Sequence, residues 1–342
     1  MTDTASPATT GAGTTEPSGR TGDSGRRRRI DSDWVRRNGV FVALLLLLVF
    51  NLLFTDNFAT EGTLRLQLVQ VAPVLIVALG MALVIGTEGI DLSVGAVMAL
   101  AAALIPLYIG YGTGISIGIS LLAGVVVGLI AGVLVAHVGV QPIVATLGLM
   151  VAGRGVANLF GGQIKSIRDE GFRELGTGSV LGIPYVVAIA ALVALVVGLV
   201  VRRSTYGRQL VAIGGNKLAA ELAGLPVKRV LVTTYVVSGL LAAMAGILLA
   251  ARSQASDPTK LGLLMELSAI TAVVIGGTPL SGGQVRILGT VAGALLMQLI
   301  TATLIFHNIP DSSAQIVQAV IVIAAVYVQL GRRGTSRKPR KT

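Results

Sequence analysis

Between residues 39 and 330 the chain alternates apolar runs with short polar breaks. A bilayer core about 30 Å thick needs roughly 20 apolar residues per helix, fewer where a helix is short or broken. That rule predicts spans near 39–54, 68–86, 92–110, 113–137, 142–160, 182–201, 229–252, 266–278, 287–306 and 313–330. The expected fold is all-α, an integral membrane protein built as a polytopic bundle of about ten transmembrane helices. Residues 1–38 and 331–342 are polar and basic, which predicts a disordered cytosolic tail before the 39–330 membrane domain and a second basic tail after it. Arg26–Arg29 ahead of an apolar run could mark a signal peptide. No small-residue cleavage site follows Val40–Phe54, however, and many further spans do, so this run is read as the first transmembrane helix.

Composition agrees with the pattern. Of 342 residues 53% are hydrophobic and 13% charged, with a mean hydropathy of +0.82, where a soluble domain carries about 25% charged residues. The absence of cysteine removes disulfide and thiolate chemistry. His137 and His307 stand too far apart to suggest a metal site, and no cofactor is expected. A net charge of +11 raises nucleic acid as a partner. The basic residues cluster at the ends of apolar runs and not on one amphipathic face, which argues against it.

Their placement orients the bundle instead. Seven Arg precede the first span, six Lys and Arg fall in 202–229, Arg286 stands alone, and six lie in the final tail. The opposite side holds Arg65, Lys165, Arg168, Arg173, Arg252 and Lys260, and Arg154 lies inside a span. Cytosolic loops carry the Lys and Arg excess, so both termini are expected inside. Small residues recur every fourth position along Ser116, Ser120, Gly124, Gly128, Gly132 and Ala136, and along Ser238, Ala242, Gly246 and Ala250. Such stripes let helix backbones approach closely in lipid and predict packing seams.

Two spans end alike. Val84-Ile85-Gly86 is followed by Thr87 to Gly89 and then Leu92-Ser93-Val94-Gly95, while Val274-Ile275-Gly276 is followed by Gly277 to Pro279 and then Leu280-Ser281-Gly282-Gly283. The match, about 190 residues apart, predicts an internal repeat and two broken helices. Backbone freed by such breaks survives at membrane depth only inside protein or along a wet cavity, so corresponding breaks point to a transport path. Ordinary tight turns at the membrane surface are the alternative. Glu88, Asp91, Arg154 and Glu266 are the charges nearest membrane depth, where an ionisable group is costly and hence a functional candidate. Asp91 either contacts cargo or caps the helix that begins at Leu92. Arg154 is expected to pair with an acid on another helix. Ser93, Thr146, Thr278 and Ser281 complete the candidate path.

In 202–228, Asn216 is a fitting N-cap, Gly224 a fitting stop, and Pro226 prevents continuation. A two-turn helix between them carries Leu218 and Leu222 on one side with Ala219 and Ala220 beside them. It is marginal alone, and suits either a groove on a partner or the surface of its own bundle.

The chain resembles the membrane subunits of bacterial ABC importers for monosaccharides, the ribose, xylose and galactofuranose group. Gly89-Ile90-Asp91-Leu92-Ser93-Val94-Gly95 carries that likeness, as does Gln141-Pro142-Ile143-Val144-Ala145-Thr146-Leu147, with Ile for the family's Phe. The runs Leu149 to Ala157 and Gly262 to Gly277 are similar to galactofuranose permeases in particular. The likeness covers about residues 66–330. It implies a permease domain whose coupling helix to an ATPase comprises Gly215, Asn216, Leu218, Ala219, Ala220 and Gly224, with Leu218 where the family has Glu. It also implies three partners: a cytosolic ABC ATPase, a second permease subunit, identical or related, and an extracytoplasmic sugar-binding protein, all assembled in membrane lipid. No Gly-x-x-x-x-Gly-Lys-Ser/Thr loop is present, so the energy must come from a partner. An ion-coupled secondary transporter is the rival reading, kept open by Glu88, Asp91 and Glu266. An enzyme is disfavoured, since no nucleophile–base pair or paired acids occur in the loops.

Overall fold

In lipid a backbone must satisfy its own hydrogen bonds, and apolar runs of this length do so as helices. The structure, a computed structural model, describes residues 32–309 and positions 312, 313, 316, 319, 320 and 323 beyond them. The basic tails expected at 1–31 and 331–342 lie outside the described residues, as does the expected span 313–330 apart from isolated positions. Among the described residues seven helices are long and apolar enough to cross a membrane, and two shorter apolar helices join them.

These nine are α1 (Ser32–Phe54), α2 (Glu61–Gly86), α3 (Val94–Tyr108), α4 (Thr113–Val133), α5 (Pro142–Gly161), α7 (Tyr185–Arg203), α10 (Val227–Ser253), α11 (Met265–Ile275) and α12 (Ile287–Phe306). They coincide with the first nine expected spans to within a few residues, save that α1 and α2 start seven residues earlier than expected. The early start of α2 has a local cause, since Thr60 caps it by accepting from the Thr63 N–H. α4 runs on as a π-helical turn to Val138.

Between these lie elements that apolar patterning misses. On the side of 161–184 a short helix, α6 (Glu170–Thr177), is flanked by two small antiparallel ladders. One pairs Lys165–Ser166 with Ala255–Ser256, the other Ser179–Val180 with Ile183–Pro184. On the opposite side α8 (Thr205–Gly215) and α9 (Lys217–Leu222) fill the 202–228 connection. Residues 205–215 read as loop because three glycines interrupt them. The helix forms because Ser204 caps it, its Oγ accepting from the Gly207 N–H at 3.1 Å, and because Leu210 and Ile213 are buried against the bundle.

The core sits around α2 and α10. The first small-residue stripe packs as expected: Gly124, Gly128 and Gly132 of α4 lie on α10, where a side chain on Gly132 would come within 2.8 Å of the Val232 Cα. The second stripe faces elsewhere, with Ser238 against Gly80 of α2 and Gly246 against Met98 of α3. Small residues on two faces let α10 touch α2, α3 and α4 at once.

The neighbours recur in the two halves. α10 lies across α3 and α4, which pack on each other; α2 lies across α11 and α12, which do the same. Gly80 abuts Ser238 and Leu241, while Gly89, past the end of α2, meets Tyr235. The two central helices therefore run antiparallel, and the internal repeat equates α2–α4 with α10–α12 in inverted sense. This corrects the repeat read from the two Val-Ile-Gly strings. Those strings follow α2 and α11, which are not equivalent; the counterpart of the break after α2 is the 254–264 connection after α10. α1 on α12 and α7 on α2 flank this core.

Candidate functional site

The two breaks meet although they are not equivalents. The Gly283 N–H donates to the Gly86 carbonyl at 3.1 Å, joining the end of α2 to the turn after α11. Gly282, with φ +70°, lies so close that a side chain there would come within 2.8 Å of the Glu88 nitrogen. Glu88 itself has φ +67°, a conformation uncommon for a residue with a side chain, and its carboxylate is exposed. A third strand of backbone enters the same junction. Gly214, in the last turn of α8, touches both the Gly86 carbonyl and the Gly283 nitrogen. Only glycines allow three backbones this close.

Above that junction the break after α2 closes around Asp91, which is buried. One carboxylate oxygen accepts from the Ser93 N–H at 3.0 Å and the Ser93 hydroxyl at 2.6 Å, and the other from the Ser238 hydroxyl of α10 at 2.8 Å. Thr146 of α5 accepts from the Leu92 N–H at 3.1 Å and donates to the Pro142 carbonyl at 2.9 Å. Asp91 thus fixes the turn ahead of α3, whose own N-cap residue is Ser93 and carries no side-chain cap bond.

Further along, the connection after α10 folds back against α3. Gly262, with φ +73°, packs on Gly95 and Met98. Arg154 of α5 holds this connection by donating to the carbonyls of Pro258, Leu261 and Gly262 at 3.2, 2.8 and 3.2 Å. The expected side-chain ion pair is replaced by these three carbonyls, with Glu266 acting on the guanidinium only through the longer-range field. The reason is geometric: the turn leaves carbonyls unpaired, and a guanidinium carries five donors in a planar fork. Hydrogen bonds to a charged group contribute about 1.5–3 kcal/mol each. Glu266 Oε2 is buried beside Gly95 without a hydrogen-bond partner among the described residues. Next to it Leu263 and Leu267 are exposed, as is the face of α5 that carries Val144, Gly148, Val151 and Gly155.

In the 202–228 connection the expected caps hold. The Ala219 N–H donates to the Asn216 side-chain oxygen at 2.9 Å, and Gly224 takes φ +76°. The burial along α9 gives its facing, which the sequence left open. Ala220 is buried in its own bundle, whereas Leu218 and Leu222 are 67% and 82% exposed. A single helix turn cannot point Ala220 both inward and at a partner, so Ala220 anchors the helix and the leucines form its outer face, with Ala219 exposed beside them.

The eight path candidates therefore fall into three places. Asp91, Ser93 and Thr146 form the closed knot; Arg154 and Glu266 flank the folded-back connection; Glu88, Thr278 and Ser281 belong to the meeting of the breaks. Thr278 is buried and accepts from the Arg286 N–H at 3.0 Å, a structural tie. Sequence reasoning missed Ser238, the 258–262 carbonyls and Gly214. Ser238 enters the sequence pattern only as a small residue, and backbone carbonyls leave no residue-type signal. Among the described residues no three His, Cys, Asp or Glu gather to hold a metal.

A bundle of membrane-crossing helices with broken segments packed at its centre, and an apolar helix presented from a loop at one end, defines a multi-pass membrane permease. The chain belongs to the family described as branched-chain amino acid transport system / permease component, which matches residues 64–326. It is 41% identical over 302 residues to the galactofuranose transporter permease protein YtfT of Escherichia coli, covering 85% of this chain and 89% of that one. The ribose import permease protein RbsC of Bacillus subtilis is 37% identical over 306 residues, 88% and 95% of the two chains. The fructose import permease protein FruF of Bifidobacterium longum is 36% identical over 305 residues, 84% and 86%. No solved structure matches the chain.

Proposed function

We propose that this chain is the membrane-spanning subunit of an ATP-driven importer of a monosaccharide, working with a cytosolic ABC ATPase, a second permease subunit and an extracytoplasmic sugar-binding protein. The relatives named for galactofuranose, ribose and fructose support a sugar as cargo. The observation that carries the mechanism is the rooting of α9. Its outer face, Leu218 and Leu222, is exposed and apolar, and it follows Gly214, which is wedged between the two breaks. A push on α9 by an ATPase is delivered directly to the place where α2 and α11 end. The bundle then shifts between two packings, as population-shift transport requires.

The exposed face of α5 and the exposed turn at Leu263–Leu267 supply the wall along which a second permease subunit meets the first, with the sugar between them. Arg154 holds that wall in shape. Glu266 Oε2 offers a sugar hydroxyl an acceptor that the described residues leave without a donor.

The test is uptake in proteoliposomes containing the full set of subunits. Leu222→Asp changes an exposed side chain, so membrane insertion and thermal stability stay as in the wild type. Uptake is expected to fall at least tenfold, with loss of ATPase association. Undiminished uptake by Leu222→Asp overturns the coupling role, and gradient-driven uptake by this chain without the ATPase restores the ion-coupled reading.

A further inference from the structure

On the flank formed by α1, α2, α7 and α12 the bundle carries a trough of about 830 Å³. Its floor is deep because α7 presents only Ala190, Ala194 and Gly198 there, one turn apart; a side chain on Gly198 would make ordinary contact with the Ile287 Cγ2 at 3.7 Å. Leu68, Leu75 and Leu295 wall it with branched aliphatic side chains. Along α7 it runs from Val187 to Arg202. At 1.5 Å per residue that is about 22 Å, more than the roughly 15 Å of hydrocarbon in one leaflet.

One end of the trough differs in chemistry. Arg202, Arg286 and Asn38 line it there, and the sequence places Arg36 and Arg37 immediately before Asn38. Arg202 is exposed. Arg286 Nη1 is buried and has no hydrogen-bond partner among the described residues. Arg286 also precedes the first turn of α12, whose N-terminal amides receive no side-chain cap. This is the end that carries the 202–228 connection, the side to which the basic residues assign the cytosol.

We infer that this trough is a binding site for an anionic phospholipid of the cytosolic leaflet, an acyl chain lying along α7 and the phosphate held by Arg202 and Arg286. An aliphatic channel longer than a leaflet suits a hydrocarbon chain. Two guanidinium groups and a set of free helix N-terminal amides suit a phosphate oxyanion. A net-negative headgroup is favoured over a zwitterionic one because both side chains lining the mouth that carry charge are cations. The bound headgroup bridges two parts of the coupling apparatus. Arg202 stands two residues before the Ser204 cap of α8, and Arg286 is tied through its own N–H to Thr278 in the second break.

Native mass spectrometry of the detergent-solubilised full chain tests the assignment, with dioleoyl phosphatidylglycerol and dioleoyl phosphatidylcholine as competing probes. The wild type is expected to retain one phosphatidylglycerol at collision energies that strip phosphatidylcholine. The R202Q/R286Q variant loses that retention at least tenfold. Ala194→Phe, which fills the trough and leaves both arginines, loses it as well, and decides the matter if the double variant does not fold. Equal retention of the two lipids by the wild type overturns the proposal, as does undiminished phosphatidylglycerol retention by Ala194→Phe. If lipid binds only after residues 2–31 are removed, the N-terminal segment is the occupant and the proposal falls.

Discussion

At the scale of single residues the bundle is organised by polar groups that its apolar patterning does not anticipate. Asp91 survives at depth because three donors converge on its two oxygens. Ser238 is the only one of these that comes from another helix, so it ties the break after α2 to α10. Removing it leaves one carboxylate oxygen without a donor, which costs about 1–3 kcal/mol for a buried acceptor. Ser238→Ala is therefore expected to lower the thermal unfolding midpoint in detergent, while Ser253→Ala at the exposed end of the same helix leaves it in place. An unchanged midpoint in Ser238→Ala would show that water or a rearranged neighbour replaces the hydroxyl. The bond from the Ser93 N–H to Asp91 is a local one, two residues apart, of the kind a sequence can suggest. The bond from Ser238, 147 residues away, is not.

Elements assemble by close approach. The α4–α10 seam brings Gly128 so near the Tyr235 and Val236 backbone that a side chain would overlap it, whereas Gly118 on the same helix has open space around it. Gly128→Leu should abolish the folded, monodisperse chain, and Gly118→Leu should be tolerated; size-exclusion profiles of the two variants separate the cases. Equal behaviour would mean that the seam can part without loss of the fold. The stripe on α4 was readable as a four-residue repeat because helix periodicity is a local property. Which neighbour it met was not, nor was the inward turn of Ala220. Both depend on the rotation of one helix about its axis relative to others.

The whole molecule is closed on the side opposite the 202–228 connection by α6 and its ladders, which join the start of α4 to the end of α10. Asp169 holds this cover: it accepts from the Thr113 hydroxyl at 2.6 Å and from the Phe172 N–H at 2.8 Å, and Phe172 is fully buried. The Thr113 hydrogen bond, reinforced by the Phe172 amide, lowers the Asp169 pKa below the usual carboxylate range. A depressed acid stabilises the folded cover above the unfolded pKa of about 3.9, and the contribution is lost as pH falls through the lower folded value. Amide exchange across 170–177 should stay slow and constant from neutral pH to about 5, after correction for intrinsic rates, and quicken only in stronger acid. Asp169→Asn should abolish that acid step; its persistence would place the titrating group elsewhere. The sequence by itself determined the class of fold, nine of the expected spans and the caps of α9, because hydropathy runs and cap residues act over a few turns of one chain. Only the tertiary structure decided that the repeat is inverted, that Arg154 serves three carbonyls, and that Gly86, Gly214 and Gly283 share one junction. Those facts are distances between segments far apart in sequence, and no local pattern encodes them.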